Sequence, residues 1–454
     1  MSIALLSALP SGFATSYRAF LASVGIDAVG LARVGESLTY RSFDGIALQS
    51  VPNLAYLARN ASCRSHFDGL GVGDRPKTIV SCAVALDEMP DCAIAGGFAR
   101  YCVCGDYHKV LRERLARLCD FLSDSIQLGA WRICIDTAPI LEREWAVRAG
   151  MGHIGFNRMV IHPTLGSHIM LGEVLVEADL MPYRDILACE TKPIVRTQMN
   201  DRTESIENVE SNEAIESIAL RESIVKNEST EKVESSLEIE LIAPSESMAK
   251  IESNERIELI EKVESIEERE SIVRIGGEQN SEFEDNIEEY LRYCTPGCMR
   301  CCKRGWRRCV ASCPTGALSE SGYDVSRCLS YWSTQHRGLV PEEMARAMGA
   351  RLWGCDSCQT NCPWVRRAAP RPVGTTPLSE LTLGDILTSS GKQLQKHLAQ
   401  SPLGDAHPSM VVRNACIVVA NTGNDAYRGE LERLAQNHAT DWVRHTALWA
   451  LDFV

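Results

Sequence analysis

Two short cysteine runs constrain this chain more than any other feature. The first, CMRCCKRGWRRCVASCPTGAL, starts at Cys298, and the second, GCDSCQTNCPW, contains Cys355, Cys358 and Cys362. Each includes C-x3-C-P, and Cys328 lies between them. A cubane iron-sulfur centre takes one thiolate per iron, so a short loop can supply three corners while a distant cysteine closes the fourth. In the two-cluster bacterial ferredoxin pattern the cysteine before proline serves the other cluster. That rule assigns Cys298, Cys301, Cys309 and Cys362 to one [4Fe-4S] cluster, and Cys328, Cys355, Cys358 and Cys313 to a second. Seven residues separate Cys301 from Cys309, where the ordinary pattern has about two. Cys302 can therefore stand in for Cys301, and Cys294 for Cys298. Zinc also takes C-x2-C pairs, but its sites rarely repeat C-x3-C-P with a TGA turn behind it.

The rest of the composition fits this assignment. Nineteen cysteines in 454 residues would read as disulfides in a small secreted domain. Here the chain is long, has no run of roughly eighteen apolar residues, and begins with MSIALLSALPSGF, which lacks the basic start of an export signal. A cytoplasmic, membrane-free protein with reduced thiols is the expectation, and metal ligation explains the cysteines better than crosslinks. Cys63, Cys82, Cys92, Cys102, Cys104, Cys119, Cys134, Cys189 and Cys416 read as plain thiols. Net charge is -13, but residues 201–290 alone hold 27 acidic and 9 basic side chains, a net of -18. The body of the protein is therefore mildly basic, and whole-chain charge does not exclude a nucleic-acid partner.

Four segments follow. Residues 1–185 carry an α/β pattern, with KTIVSCAVAL (77–86) and WRICIDTAPI (131–140) reading as strands. Between them, YHKVLRERLARLCDFL (107–122) reads as a helix with Val110, Leu111, Leu115, Leu118, Phe121 and Leu122 on one face. Glycines cluster in AGMGHIGFN (149–157) and LGSHIMLGE (165–173), where a flat ligand or a neighbouring strand could come close to bare backbone. Residues 190–288 repeat ESIE, KVES and NESTEK without cysteine or tryptophan, an acidic low-complexity insertion that cannot build a core. Residues 290–370 are the ferredoxin-like two-cluster domain. In 371–454, VVRNACIVVA (411–420) recurs as WVRHTALWAL (442–451), the mark of a HEAT-like helical repeat.

Several of these stretches together resemble one family, the epoxyqueuosine reductases. They are ARYCVCGDYHKVLRERL (99–115), DTAPILEREWAVRAGMGHIG (136–155), LGSHIMLGE, CPTGAL (313–318), RCLSY (327–331), WGCDSCQTNCPW (353–364), and VRNA (412–415) with VRHTALWAL. The resemblance covers nearly all of the chain outside the insertion. It implies an α+β multidomain architecture with an N-terminal cobalamin-binding catalytic domain, and reduction of an epoxide on a modified base in the tRNA anticodon. Cobalamin would be fed single electrons by the two clusters and an external donor, in a monomer. By the same resemblance Asp136 is the proton donor, at the end of the second strand, with a pKa raised in an apolar cleft. Tyr107, His108, Arg143, Gly155, Asn157 and Ser167 match positions at the cofactor or substrate. Without its flanking TAPILER, Asp136 would read as a helix cap.

Two stretches depart from the family pattern. GHIGFN puts His153 and Phe156 where Trp and Lys are usual, which bears on the cofactor edge, and SPLGDAHPSM replaces a basic run before VRNA, which bears on tRNA contact. No D-x-H-x-x-G occurs, so a histidine ligand to cobalt is not expected. Two alternatives stay open: a related reductase of a small molecule, for which a helical repeat tail has no use, and a bare electron carrier, for which the DTAPILE half has none.

Overall fold

The computed structural model describes residues 9–37, 39–40, 51, 53–54, 59–72, 76–191, 307–319, 322–368, 373 and 378–454. Nearly all of the acidic insertion, together with Cys294, Cys298, Cys301 and Cys302, lies outside them.

A five-stranded sheet forms the N-terminal part, in the order β3-β6-β2-β1-β7. Its strands are β1 (Ala28–Arg33), β2 (Thr78–Ala85), β3 (Trp131–Cys134), β6 (Ile169–Val176) and β7 (Cys189–Glu190), while β4 (His153–Ile154) and β5 (Val160–Ile161) make a separate ribbon. Every pairing is antiparallel. The alternation of strand and helix in the sequence thus yields an antiparallel α+β sheet and not a parallel one. β2 lies at the centre, and its continuous apolar run is buried on both faces. Strand alternation sends Val80, Cys82, Val174 and Val176 to one core and Ile79, Ala83, Leu175 and Cys134 to the other.

Helix α1 (Phe13–Val24) and helix α2 (Tyr107–Ser123) cover the first face, and α3 (Glu142–Arg148) covers the second. Asp106 caps α2 by accepting the His108 N–H at 3.2 Å. From that start the expected stripe of Leu111, Leu115, Leu118 and Leu122 turns inward, each side chain contributing about 2 kcal/mol by burial. Gly172 on β6 lets the helix close on the sheet, because a Cβ there would lie 2.9 Å from Leu115 Cδ1.

The cluster-bearing segment is built from short pieces: α4 (Arg308–Ala311), α5 (Leu329–Thr334), α6 (Glu342–Met348), α7 (Ser357–Thr360) and α8 (Pro363–Arg367). Behind it stand α9 (Leu383–Thr388), α10 (Gly391–Leu398), α11 (Pro408–Thr422), α12 (Arg428–Asn437) and α13 (Asp441–Leu451). Both copies of the 31-residue repeat are therefore helices, α11 and α13. Ile94, Phe98, Leu352 and Trp353 share one core with these helices, so sheet domain, cluster segment and tail close on a common interior.

Arg413 of VRNA is fully buried within that joint and is not a surface cation. Its guanidinium donates to the carbonyls of His336 (2.7 Å), Gly338 (2.9 Å) and Trp332 (2.7 Å), and to Asn414 Oδ1. Asn414 in turn donates to the carbonyls of Ser333 and Leu352. Burial pulls the guanidinium pKa down to about 9, so these carbonyls are what keep the charge in place. Arg413→Ala strands three buried acceptors, each costing about 1–3 kcal/mol, and should destabilise the protein by about 3 kcal/mol or more. Chemical unfolding checks this, and a loss below about 1 kcal/mol would show that water replaces the guanidinium at no cost.

Candidate active site

A cavity of about 1040 Å³ opens among the sheet domain, the cluster segment and the loop before α11. That exceeds the usual volume of a small-molecule site, roughly 300–1,000 Å³. Of the residues singled out in the sequence, Asp136, Tyr107, His108, Arg143, Asn157 and Ser167 line it. So do Cys313, Cys328, Cys355 and Cys358, the four thiols assigned to the second cluster. Cys309 and Cys362, assigned to the first, are not among the lining residues, and their partners Cys298 and Cys301 lie outside the described residues. Gly155 does not line the cavity either. A Cβ on it would lie 2.5 Å from Ile161 Cδ1, so packing under the β4–β5 ribbon explains it.

The four lining thiols come from three short turns. Cys328 begins α5, Cys355 and Cys358 flank the start of α7, and Cys313 follows α4. Cys358 is pushed well above the ordinary thiol range by burial and then by its thiol neighbours Cys355 and Cys328. Cys313 goes the other way: burial would raise it, but backbone N–H groups of Leu318, Thr315 and Ala317 turned toward the sulfur bring it below the usual value. Amide donors around a sulfur suit a metal-bound thiolate. Among the described residues no three His, Cys, Asp or Glu side chains close on a single-ion position. A cubane, with one iron at each thiolate, needs no such point.

Asp136 is placed differently from the expectation. β3 stops at Cys134, two residues earlier, and Asp136 has a left-handed backbone with φ 44°. Nor is it a helix cap, since Leu141 holds that position for α3. Its side chain is 58% exposed toward the cavity and its Oδ2 lies 3.3 Å from His108 Nε2. His108 Nδ1 lies 3.2 Å from Asp106 Oδ1. Only an imidazolium can donate from both nitrogens at once. The Asp136 hydrogen bond, against the effect of burial, therefore lifts the His108 pKa. The same bond, helped by the Tyr107 hydroxyl, holds Asp136 below the ordinary carboxyl range. This corrects the expected raised pKa: the site is a polar one, and an opposite charge beats desolvation there.

Three lining residues that the sequence reading did not single out complete the site. Glu142 accepts the backbone N–H of Asp136 and is pushed up to about 8 by burial and by the Asp136 charge. Arg100 Nη1 contacts His168 Nδ1 at 2.8 Å, and burial holds the His168 pKa down to about 4. All three sit inside motif stretches quoted above, so their signal was position within DTAPILE, ARYC and LGSHIM. Asn157 ties the halves together by donating to the Cys358 carbonyl at 3.4 Å.

Residues 71–137 match the family model for epoxyqueuosine reductase QueG, DUF1730, and residues 297–365 match the 4Fe-4S double cluster binding domain. The epoxyqueuosine reductase of Aliivibrio fischeri is 24% identical over 329 residues, 70% of this chain and 56% of that enzyme. That of Pseudomonas aeruginosa is 23% identical over 410 residues, 87% of this chain and 81% of that enzyme. The chain thus spans little more than half the length of the first relative. Among solved structures, the Streptococcus thermophilus epoxyqueuosine reductase superposes with a TM-score of 0.63 at 18% identity, covering 97% of this chain and 90% of that one. An epoxyqueuosine reductase solved with an epoxyqueuosine-modified tRNA-Tyr stem loop gives 0.60 at 20% identity.

The chain is similar to the epoxyqueuosine reductases, over most of its length in sequence and over 97% of it in fold. Its two departures from the family's usual motif can now be located. His153 is buried with its ring edge-on to Trp364 at 5.8 Å, and Phe156 packs with Ile161, Cys362 and Val365. Neither lines the cavity, so these two substitutions face the cluster loop, whereas the second departing stretch, SPLGDAHPSM, reaches the cavity wall through Pro402, Asp405, Ala406, His407 and Met410.

The His108–Asp136 pair has a pH signature. Because the His108 pKa is raised, its stabilising effect is complete below the unfolded value near 6.5 and is lost as pH rises through the folded pKa. Because the Asp136 pKa is lowered, its share is lost only when pH falls through that lower value. Asp136→Asn should bring the His108 pKa down, read from its ring protons by NMR titration. An unchanged pKa would show that Asp106 alone holds the imidazolium.

Proposed function

We propose that this chain reduces epoxyqueuosine to queuosine in tRNA, the last step of queuosine biosynthesis, as a cytoplasmic monomer drawing on an external electron donor. The observation that carries the reading is the shared cavity: a proton-bearing His108–Asp136 pair and the four thiols of the second cluster open onto the same space. A bare electron carrier has no need of that space.

The residues present fit a cobalamin. Its periphery is lined with amides, and the residues lining the cavity offer three buried polar atoms without a protein partner, Ser167 Oγ, His168 Nε2 and Gln359 Oε1. With Arg100 donating toward His168 Nδ1, the neutral ring carries its proton on Nε2 and is a donor there. Tyr107, Arg143, Asn157, Ser167 and His168 are the residues that would hold the cofactor. When bound, cobalamin supplies a strongly reducing cobalt centre, recharged by single electrons from the clusters.

The chain's own part is proton delivery and positioning. Asp136 presents its carboxylate to the leaving oxygen, and His108 stores the proton that a lone carboxyl of lowered pKa would lose at neutral pH. The left-handed turn at Asp136 is held by the Glu142 carboxyl oxygen on its N–H and by His108 on its side chain. A Bacillus subtilis epoxyqueuosine reductase has been solved with its catalytic aspartate loop swung out of the active site, which supports placing the acid on a loop. Arg59 and Arg337, both exposed at the cavity, suit tRNA phosphates, and we read the five C-terminal helices as a HEAT-like scaffold beside them.

Purified anaerobically, the chain should carry about eight irons, and zinc in their place would end the reading. Deleting residues 192–286 should leave iron content and turnover largely intact, and a chain that no longer folds would show that the segment packs on the body. Asp136→Asn should lower reduction of epoxyqueuosine tRNA by about 10²–10⁴-fold with iron and cobalamin content unchanged. Cys328→Ala should instead lose one cluster and multiple turnover. Full activity in Asp136→Asn would remove the proposed acid.

A further inference from the structure

Epoxide reduction consumes two protons and two electrons. Both C–O bonds break, a C=C bond forms, and the oxygen leaves as water. The His108–Asp136 pair accounts for one of those protons. The second needs another group that is protonated at neutral pH and sits at the same oxygen's side of the cavity.

Glu142 meets that requirement by geometry. It lines the cavity, and its Oε1 accepts the Asp136 backbone N–H, near enough for the Asp136 charge to act on it. Two residues on, Glu144 shows what an acid kept ionised by its surroundings looks like. It receives Ser37 Oγ at 2.6 Å, Thr39 Oγ1 at 2.6 Å, the Thr39 N–H at 3.1 Å and Arg148 Nη1 at 3.2 Å. Glu142 has no such set. Among the described residues no Lys, Arg or His makes a salt bridge with it. The groups facing it are Asp136 beyond β3, Cys134 at the end of β3, Tyr107 and His108 on α2, its neighbour Arg143 and the fully buried Glu173 on β6. Burial and the Asp136 charge oppose its ionisation and outweigh the opposite pull of Arg143 and His108.

We infer that Glu142 stores the second proton of each turnover and passes it through Asp136 to the departing oxygen. The inference rests on the activity proposed above. In the first half of the reaction one C–O bond opens and the oxygen takes the proton held by His108 and Asp136. In the second half the other C–O bond breaks, the Glu142 proton completes water, and the two electrons delivered through the clusters end in the C=C bond. Glu142 and His108 are then recharged from solvent through the open cavity. Burial and the adjacent Asp136 charge, which push Glu142 up to about 8, keep it loaded at neutral pH.

Glu142→Gln tests this, because the amide oxygen still accepts the Asp136 N–H while the proton is gone. With iron and cobalamin content normal, turnover should fall about 10²-fold. The alkaline fall in the wild-type pH profile should change shape, since one of the two proton stores behind it is missing. The infrared absorption of protonated carboxyl groups at neutral pH should also weaken in the holoenzyme. Should Glu142→Gln fail to fold, Glu142→Asp serves, and the carboxyl that titrates near pH 8 should shift in it. A wild type that reduces no epoxyqueuosine overturns the activity and this inference together. A wild type that does, matched in rate and pH profile by Glu142→Gln, or with no carboxyl titrating in that range, overturns the inference alone.

Discussion

A short run of backbone hydrogen bonds holds the cluster loop to the sheet domain, and the cavity exists because of it. The Leu352 and Trp353 N–H groups donate to the Gly97 carbonyl at 2.7 and 2.8 Å, and the Ala99 N–H donates to the Trp353 carbonyl at 2.9 Å. Asp356 accepts the Arg100 N–H. The approach is tight enough that Gly354, at φ 77°, has no room for a side chain, since a Cβ would lie 2.6 Å from that of Ala99. From the other side Asn414 donates to the Leu352 carbonyl. The segment that leads into Cys355 and Cys358 is thus fixed between the sheet and α11.

That docking decides which chemistry can share a space. Thiols suited to single-electron relay and a carboxylate-imidazole pair suited to proton transfer belong to segments far apart in the chain, and neither alone encloses a site. The tail contributes through Arg413, whose buried guanidinium ties α11 to the end of α5, the helix that Cys328 begins. A loss of stability at that joint would be felt at the cluster loop because they share one core.

At the cavity wall and behind it, three carboxyl groups take different protonation states for local reasons. Asp136 faces an imidazolium and stays ionised. Glu142 lies beside that ionised group with no cation paired to it among the described residues, and keeps its proton. Glu173 is fully buried on β6, where among the described residues Ser81 Oγ is its one side-chain donor at 3.1 Å, and is held protonated by desolvation. The same functional group thus serves as conjugate base, proton store and buried neutral acid, according to the neighbours that folding brings beside it.

The amino-acid sequence by itself determined what depends on local order along the chain. C-x3-C-P spacing marked the double-cluster segment, the apolar stripe from Leu111 to Leu122 marked α2, and the run at 77–86 marked the central strand, because periodicity and cysteine spacing are properties of neighbouring residues. Only the tertiary structure decided the rest. WRICIDTAPI reads as one strand by composition, yet it breaks after Cys134 because Asp136 must turn back toward His108 on another element. The direction of its pKa shift followed from that neighbour, and so did the role of Glu142. The sequence leaves the surroundings of Arg413 open, and three carbonyls from 75 to 81 residues earlier close around it. Charge state and burial are set by what folding brings within a few ångströms, and that distance is not written in the order of the residues.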